Sequence, residues 1–348
     1  MIHTAQVAHN VSRSEEFGIS IDRFRIDMAA VRNRKRNMVQ GLVDTHLALY
    51  KQSGAELVMA SGRFVGPKML EATLPDGTRR LLTGKNVVIG TGTHALIENI
   101  PGLASAQPLT HVEALELDIV PEHLIVLGAG YVGLEFAQAM RRFGSKVAVI
   151  DRNLRVIHHE DDDVTEDLQT LFQDEGIELV LGAKIKSVSG VSGQSARVTV
   201  EQNRQERPLD GTHLLVASGR VPNTKDIGLE LTGVELTETG YIKMNERLET
   251  TAPGVWAVGE VAGSPHFTHI SEDDFRVVRD NMLGGKRVTT GRQVPFCLFT
   301  DPEFARIGMS EKEAKQKGIA YRLFKVPMTH VLRARSLVEN ARLSKVSR

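Results

Sequence analysis

A short glycine-rich stretch between two apolar runs limits the folds open to this chain more than any other feature. Residues 124–127 read Leu-Ile-Val-Leu, without polar alternation, as expected of a parallel strand buried on both faces. Gly-Ala-Gly-Tyr-Val-Gly follows at 128–133, and residues 134–143 have helical character. A second apolar run at 146–150 ends on Asp151. This order predicts a strand, a turn, a helix and a second parallel strand, which is the opening unit of a doubly wound α/β fold.

The spacing of the glycines indicates what the turn binds. Gly128 permits a tight turn, Gly130 lets the backbone approach a pyrophosphate, and Gly133 lets helix and strand pack closely. The phosphates would then lie on the N-terminus of the following helix, beside Tyr131 and Val132, where free N–H groups and the dipole favour anions. Asp151 lies 18 residues after Gly133, close to the spacing of an acid that accepts a hydrogen bond from an adenosine ribose. The pattern therefore predicts a nicotinamide dinucleotide site.

The acid also bears on the choice of coenzyme. Asp151 would repel a 2′-phosphate, which favours NAD over NADP. Arg152 and Arg155 follow closely and could pair with that phosphate instead. NAD is the preferred coenzyme, and NADP stays open.

Composition excludes several classes of partner. Lys plus Arg equals Asp plus Glu, at 43 each in 348 residues, so no global field attracts nucleic acid or an anionic membrane. The basic run at 32–36 is interpreted as the solvated face of a helix. No apolar run approaches the roughly 18 residues of a membrane span, and the first 20 residues carry charges, so we expect a cytoplasmic protein. Cys297 is the single cysteine, expected to be a small hydrophobe of an apolar strand at 294–299.

Hydrophobic periodicity divides the chain into segments. Helices are expected at 1–16 and 26–53, the second packed through its apolar stripe, and then an antiparallel meander of short runs at 57–59, 63–65, 71–74 and 86–89. An α/β segment with an inserted meander extends to 219, with a helix at 163–175 and strands near 178–181, 184–189, 196–201 and 212–217. A further strand at 255–258 and a helix at 271–283 precede a new β/α segment from 294.

Four stretches together resemble the flavin-dependent pyridine nucleotide-disulfide oxidoreductases, the group of dihydrolipoyl dehydrogenase, glutathione reductase and mercuric reductase. They are Thr91-Gly92 with Ile100-Pro101-Gly102, residues 128–135, residues 217–224 (ASGRVPNT) and residues 253–260 (PGVWAVGE). Residues 294–308 look like the start of the family's dimerisation domain, and the mercuric-reductase-like branch is nearest. The resemblance implies an α/β fold in which a Rossmann-like NAD(P)-binding domain is inserted in an incomplete FAD-binding domain.

The resemblance also assigns roles to residues. Glu135 and Gly219 join the NAD site, and Thr91-Gly92 packs beside the flavin ribityl chain. Glu260, where the family has Asp, accepts a hydrogen bond from a flavin hydroxyl. The remaining FAD residues implied are Gly62 near the adenine, Arg220 near the flavin, and Phe267 and Thr268 along the isoalloxazine edge.

By the same resemblance, the domains are expected at 1–93 (first part of the FAD domain), 94–221 (NAD(P) domain), 222–291 (second part of the FAD domain) and 292–348 (dimerisation domain). The family begins with its own flavin-binding G-x-G-x-x-G and a Cys-x4-Cys pair, and Met1 is expected to lie just past both. In the family, Glu135 pairs with a lysine, which would also lie in the part of the family sequence before Met1. At the other end, we expect the chain to stop before the family's His and Glu, which act in the partner subunit of a homodimer. Residues 340–348 are not expected to continue a strand.

Histidine clusters are weaker candidates. His158-His159 followed by four acids resembles a metal cluster, but acids before a helix are the usual N-terminal signature, so no metal is predicted. His266 and His269, near the implied flavin edge, are interpreted as hydrogen-bonding loop residues rather than acid–base groups.

Two functional hypotheses follow. In the first, hydride passes from NAD(P)H to FAD, and electrons leave to a diffusible acceptor such as oxygen or a quinone, since one cysteine cannot form a redox pair. In the second, the chain is a catalytically defective fragment that only binds NAD(H). The helix at 26–53 would then expose apolar surface, and the purified protein would aggregate.

Overall fold

The computed structural model describes residues 1–337 and 344–347. The helices are α1 (Ile2–Ser12), α2 (Met28–Ser53), α3 (His111–Ala114), α4 (Tyr131–Phe143), α5 (Asp162–Asp174), α6 (Thr268–Met282), α7 (Glu311–Gln316) and α8 (Leu332–Ser336). The strands are β1 (Ser61–Gly66), β2 (Met69–Thr73), β3 (Arg79–Thr83), β4 (Val87–Ile89), β5 (Thr93–Ala95), β6 (His123–Leu127), β7 (Lys146–Asp151), β8 (Glu178–Leu181), β9 (Lys184–Val191), β10 (Ser195–Gln202), β11 (Gln205–Gly211), β12 (His213–Val216), β13 (Arg220–Pro222), β14 (Val255–Ala257), β15 (Pro295–Leu298), β16 (Phe304–Ile307), β17 (Leu323–Val326) and β18 (Ser344–Ser347).

The chain forms two compact units. Unit 1 contains residues 1–40, 95–219 and 297–348, and unit 2 contains 41–94 and 220–296. The chain leaves unit 2 near residue 94 and returns to it near 220. Residues 95–219 are thus an insertion in the sequence of unit 2, which agrees with the inserted fold predicted. The predicted boundaries of the binding domains stay a prediction.

A parallel sheet is the centre of unit 1. Its order is β12-β6-β7-β8, with Leu124 opposite Val147 in the β6–β7 register. Side chains alternate between faces along β6. Leu124 and Val126 pack with α4, while Ile125 and Leu127 pack with the antiparallel meander β9–β10–β11. Burial on both faces explains why β6 lacks polar alternation, and the α/β prediction is confirmed.

Helix α4 is fixed on the sheet by its apolar face. Leu134, Ala137 and Met140 are fully buried, and the helix ends at Gly144, whose φ of 111° is in the left-handed region. Helix α1 packs against α4 through Ala5 and Ala8, so the N-terminal helix belongs to the core of unit 1.

Unit 2 has a smaller core. The antiparallel sheet β1-β2-β3 confirms part of the predicted meander. Residues 57–59 form no strand, β3 was missed, and the run predicted at 86–89 lies in another sheet, where its pairing is parallel. Strands β4 and β14 pair in parallel, joining residues 87–89 to 255–257. Their side chains pack with Phe64, Ile242 and Val261.

The apolar stripe of α2 was predicted to be packed, but it is buried only near the start of the helix. Met28 is buried and Val31 is partly buried against the core of unit 1. Farther along, the apolar side chains are 43–58% exposed: Met38, Val39, Leu42, Val43, Leu47, Leu49 and Tyr50. The exposed apolar surface expected for this helix is therefore present, and aggregation stays a prediction.

The C-terminal segment brings one further correction. Ser344–Ser347 pair antiparallel with Leu323–Val326, so these residues do continue a strand. Short polar sequences carry little periodic signal, and pairing with β17 decides their conformation. Residues 340–343 and 348, which belonged to the same prediction, lie outside the described residues.

Candidate cofactor-binding sites

Two glycines of the 128–133 turn are required by sterics. Gly128 has a φ of 111°, and a Cβ there would lie 2.5 Å from the Ala217 carbonyl oxygen. A Cβ on Gly133 would lie 2.0 Å from the Gly128 carbonyl oxygen and 3.3 Å from Val126. No side chain fits at either place. The backbone of β6, the turn and α4 therefore approach one another as the sequence predicted.

Packing within the protein does not exclude a side chain at Gly130. It precedes α4 with extended backbone, and no atom lies within 4 Å of a Cβ built on it. The space beside it is open, and the first N–H groups of α4 have no partners within the helix. Bare backbone beside a positive helix end is the arrangement that accepts a diphosphate.

Asp151 closes the site at the end of β7. Its Oδ2 accepts the Ala129 N–H at 2.7 Å, and its Oδ1 accepts the backbone and side-chain N–H groups of Asn153 at 2.7 and 2.8 Å. The carboxylate is thus fixed beside the glycine turn, as the spacing predicted. The supporting Asn153 was missed, although an Asn two residues after an Asp is a recognisable turn signal.

The two arginines near Asp151 differ. Arg155 is directed to the acids of α5, with its Nη1 2.9 Å from Glu166 Oε1 and its Nε 3.6 Å from Asp162 Oδ1. Arg152 is exposed. A 2′-phosphate partner is therefore available from Arg152 more readily than from Arg155.

A loop from Val156 to Asp161 lies against the turn. The Ile157 N–H donates to the Ala129 carbonyl at 2.9 Å, and the Tyr131 hydroxyl donates to Glu160 Oε1 at 3.2 Å. Burial, and then the Glu160 charge, strongly raise the pKa of Tyr131, so the phenol stays protonated at neutral pH. Val132 is exposed on the same helical turn.

Glu135 and Gly219, the other predicted NAD residues, are in unit 1. Glu135 accepts the Phe299 N–H at 2.9 Å, and burial raises the pKa of its carboxyl. Gly219 accepts the Leu96 N–H at 3.0 Å. Burial also raises the pKa of the Cys297 thiol, helped by the charges of Glu303 and Glu135. A raised pKa disfavours the thiolate, so Cys297 is a poor nucleophile.

In unit 2, three polar side chains from distant segments meet. Arg220 Nε donates to Thr93 Oγ1 at 2.5 Å and lies 3.1 Å from Glu260 Oε2, and the Thr93 hydroxyl donates to the same Glu260 oxygen. Burial alone would raise the pKa of Glu260, but the Thr93 hydrogen bond and the charges of Arg220 and His266 outweigh it and lower it. The structure thus brings Arg220 and Glu260 together. Thr93 was missed because a single threonine in a short strand carries no signal.

Two further contacts hold these motifs in place. Asn223 donates to the Thr91 carbonyl at 2.8 Å, and its own N–H donates to the Gly92 carbonyl at 3.0 Å. The fully buried Asp274 accepts the Gly259 N–H at 2.8 Å and the Arg292 Nη1–H at 2.6 Å. Sequence reasoning missed Asp274 and Arg292 because charged residues in a polar helix and a loop look solvated.

The other predicted flavin residues are more scattered. Gly62 lies on β1, in a different sheet from the strand that carries Arg220. Phe267 precedes α6, which begins at Thr268, and its ring meets Phe296 edge-on at 5.5 Å and stacks on His269 at 5.2 Å. His269 Nε2 also lies 2.9 Å from the Pro295 carbonyl oxygen. This contact fits a hydrogen-bonding role for His269.

The His158–Asp163 stretch is engaged in protein contacts. Glu160 binds Arg306, Asp161 accepts the N–H groups of Glu311 and Lys312, and Asp163 pairs with Lys325. Within the described ranges, no group of three or more His, Cys, Asp or Glu side chains is arranged to hold a metal ion. No helix among those residues is long and apolar enough to cross a membrane.

Comparison with known proteins identifies the family. The family model described as pyridine nucleotide-disulphide oxidoreductase matches residues 3–274, and the model of that family's dimerisation domain matches 294–346. The chain is 32% identical over 337 residues to a probable pyridine nucleotide-disulfide oxidoreductase, RclA, of Escherichia coli, covering 96% of this chain and 73% of that protein. It is 30% identical to a mercuric reductase of Streptomyces lividans, covering 96% of this chain and 71% of that protein.

Solved structures give the same result. The Escherichia coli flavoprotein disulfide reductase RclA, in a Cu(II) complex, superposes with a TM-score of 0.86 at 29% identity, covering 99% of this chain and 74% of that one. LpdA from Mycobacterium tuberculosis superposes with a TM-score of 0.89 at 25% identity, covering 99% and 75%. The resemblance predicted from the motifs is confirmed: this chain belongs to the pyridine nucleotide-disulfide oxidoreductase family.

Proposed function

We propose that the chain binds NAD(H) at the 128–133 turn and acts as an FAD-dependent NAD(P)H oxidoreductase. The observation that supports NAD(H) binding is that the three glycines of the turn have different steric surroundings. Gly128 and Gly133 are excluded from bearing a side chain by neighbouring backbone, whereas Gly130 faces open space. A glycine that the protein's own packing does not require points to a ligand that does.

Asp151 supports NADH as the preferred coenzyme. Its carboxylate is held by Ala129 and Asn153, and an adenosine ribose hydroxyl is the donor that suits it there. Arg155, which could otherwise pair with a 2′-phosphate, is paired with Glu166. Coenzyme preference therefore depends on one fixed negative charge and one exposed arginine, Arg152.

Family membership supports FAD as the second cofactor, and the residues of unit 2 fit it in part. Glu260 would accept a flavin hydroxyl, with Arg220 and Thr93 fixing its carboxylate. The Thr91-Gly92 turn, held by Asn223, would pack beside the ribityl chain, and Phe267 and Thr268 would line the ring edge. Gly62 would lie near the adenine. When bound, FAD supplies the hydride acceptor.

The domain assignment and assembly belong to the same proposal. Residues 94–221 would form the NAD(P)-binding domain, 1–93 and 222–291 the FAD-binding domain, and 292–348 a dimerisation domain that makes a homodimer. Electrons passed on by these 348 residues alone, which contain one cysteine, would leave to a diffusible acceptor such as oxygen or a quinone. No cysteine pair of these 348 residues can accept them.

Two observations favour a second candidate, a protein that binds NAD(H) without flavin turnover. Glu260 Oε2 is already engaged by Thr93 and Arg220, and α2 exposes apolar side chains such as Leu42 and Leu49, each 54% exposed. Both features are expected of a flavin domain that is not fully assembled.

The two candidates separate in one experiment on the purified full chain. Flavin content is measured by absorbance of the released cofactor, and NADH is then added without oxygen. Flavin bleaching by NADH supports the oxidoreductase. Colourless protein that binds NADH, measured by nucleotide fluorescence, supports the second candidate, and protein that binds neither contradicts both.

A further inference from the structure

The loop from Val156 to Asp161, which we call the buttress loop, contacts the nucleotide turn from one side and the C-terminal segment from the other. Toward the turn, Ile157 donates to the Ala129 carbonyl and Glu160 accepts the Tyr131 hydroxyl. Val156 and Ile157 are at most 4% exposed, so the loop is fixed in the core. Every part of this arrangement lies in unit 1.

Toward the C-terminal segment, the buttress loop makes an ion pair. Arg306 Nε lies 2.7 Å from Glu160 Oε2, and its Nη2 lies 3.2 Å from Oε1, so the guanidinium grips both carboxylate oxygens. The Glu160 side chain is 4% exposed and that of Arg306 is 16% exposed. The next residue, Asp161, accepts the N–H groups of Glu311 and Lys312 at 3.1 and 2.8 Å.

Removing one partner of a buried ion pair leaves the other charge unpaired and strongly destabilises the folded arrangement. The loop is therefore expected to relax when the Arg306 guanidinium is removed. Relaxation at Glu160 reaches the turn directly, since the same carboxylate holds Tyr131, the first residue of α4. We propose that Arg306, acting through Glu160, is a positioning residue for the nucleotide turn, so that the C-terminal segment controls NADH affinity. This inference rests on the proposed function of the turn.

The test uses Arg306→Ala, Arg306→Lys and Tyr131→Phe in the full chain. We expect Arg306→Ala to raise the Kd for NADH about fivefold or more. Arg306→Lys keeps the charge but loses the bidentate contact with Glu160, so a smaller rise in the Kd for NADH is expected. In the double variant Tyr131→Phe/Arg306→Ala, the loss of NADH affinity should be smaller than the two single losses combined, because both substitutions act through Glu160.

Arg142 provides a matched control. It forms a buried ion pair with Glu175 at 2.8 Å and with Asp301 of the C-terminal segment at 2.5 Å, and its side chain is 5% exposed. It lies eleven residues after Tyr131, roughly 16 Å along α4. Arg142→Ala should lower the Tm as Arg306→Ala does, yet leave the Kd for NADH within about twofold.

A second readout does not depend on nucleotide. Hydrogen exchange of the peptide that contains residues 128–134 should quicken in Arg306→Ala and stay unchanged in Arg142→Ala. Unchanged exchange and affinity in Arg306→Ala, or equal effects in Arg142→Ala, would overturn the inference. If Arg306→Ala does not fold, Arg306→Lys and Tyr131→Phe decide the question by the same two measurements. A wild-type chain without NADH affinity contradicts the proposed function, whereas the exchange result still judges the positioning role alone.

Discussion

The nucleotide turn of unit 1 and the Arg220–Thr93–Glu260 group of unit 2 are built in different ways. The turn is formed by contiguous residues, 124–151, and two of its three glycines are dictated by the protein's own backbone. The unit 2 group joins residues 127 and 40 positions apart, and its members hydrogen-bond one another. One site leaves open space beside Gly130, whereas in the other the Oε2 atom of Glu260 is already engaged by Thr93 and Arg220. Nucleotide binding is accordingly better supported by geometry than flavin binding.

Gly133→Ala tests how much of the turn is dictated by packing, and it has the largest expected effect. The new Cβ would meet the Gly128 carbonyl oxygen at 2.0 Å, so the backbone must shift. We expect a loss of about 3 kcal/mol in the free energy of unfolding and no measurable NADH binding. Denaturant unfolding and nucleotide fluorescence measure the two.

Gly144→Ala is the control at the other end of α4. Its φ is also 111°, but no atom lies within 4 Å of its Cβ. Strain alone should cost about 1 kcal/mol, with NADH affinity unchanged. An equal loss in both variants would show that the turn is no more constrained than the helix end.

Gly130→Ala separates packing from ligand approach. Because its Cβ has no neighbour within 4 Å, the stability of the free protein should change by less than about 0.5 kcal/mol. NADH affinity should fall about tenfold, since the methyl group takes the place of the approaching diphosphate. Unchanged affinity at unchanged stability would contradict the assignment of this turn as a phosphate site.

Asp151→Asn tests coenzyme choice. Removal of the charge should weaken the binding of NADH and strengthen that of NADPH, so that the ratio of the two affinities shifts about fivefold. Arg152→Gln should shift the ratio in the opposite direction, because it removes the exposed cation available to a 2′-phosphate. Competition of the two coenzymes on each variant measures the ratio, and an unchanged ratio in Asp151→Asn counts against the acid as the selecting group.

Glu260→Gln examines unit 2 and has the smallest expected effect. The folded pKa of Glu260 is lowered from its ordinary value of 4.5, so the ionised carboxylate contributes stability that is present above that value. The contribution is lost as the pH falls through the lower folded pKa. The half-buried pair should be worth no more than about 1 kcal/mol.

Unfolding curves at neutral pH and in acid give the result. The difference between wild type and Glu260→Gln should shrink as the pH falls below 4.5. A difference that stays constant with pH would mean that Glu260 does not act as an ionised partner of Arg220. Flavin content measured on the same variant shows whether the group also serves a cofactor.

Much of unit 1 followed from sequence because its signals are local. The β6–turn–α4–β7 series was predicted in the correct order, since a strand buried on both faces and an amphipathic helix each have their own periodicity, although α4 begins at Tyr131 rather than at Leu134. The antiparallel meander of unit 2 was predicted, but residues 57–59 were wrongly predicted as a strand and β3 was missed. Short strands depend on their partners more than on their own residues. The stripe on α2 was predicted correctly as a pattern, yet packing covers it only near Met28.

By itself, the sequence determined the glycine turn, its acid and the family, because the motif lies within a single βαβ unit at 124–151, and the packing that excludes a side chain at Gly133 lies inside that unit. Only the tertiary structure decided what surrounds them. Thr93, Asp274 and the Glu160–Arg306 pair are polar residues whose partners lie elsewhere in the fold, and a charge that folding buries looks the same in sequence as a solvated one. Burial and pairing depend on the fold, and so the residues that position the nucleotide turn became visible only there.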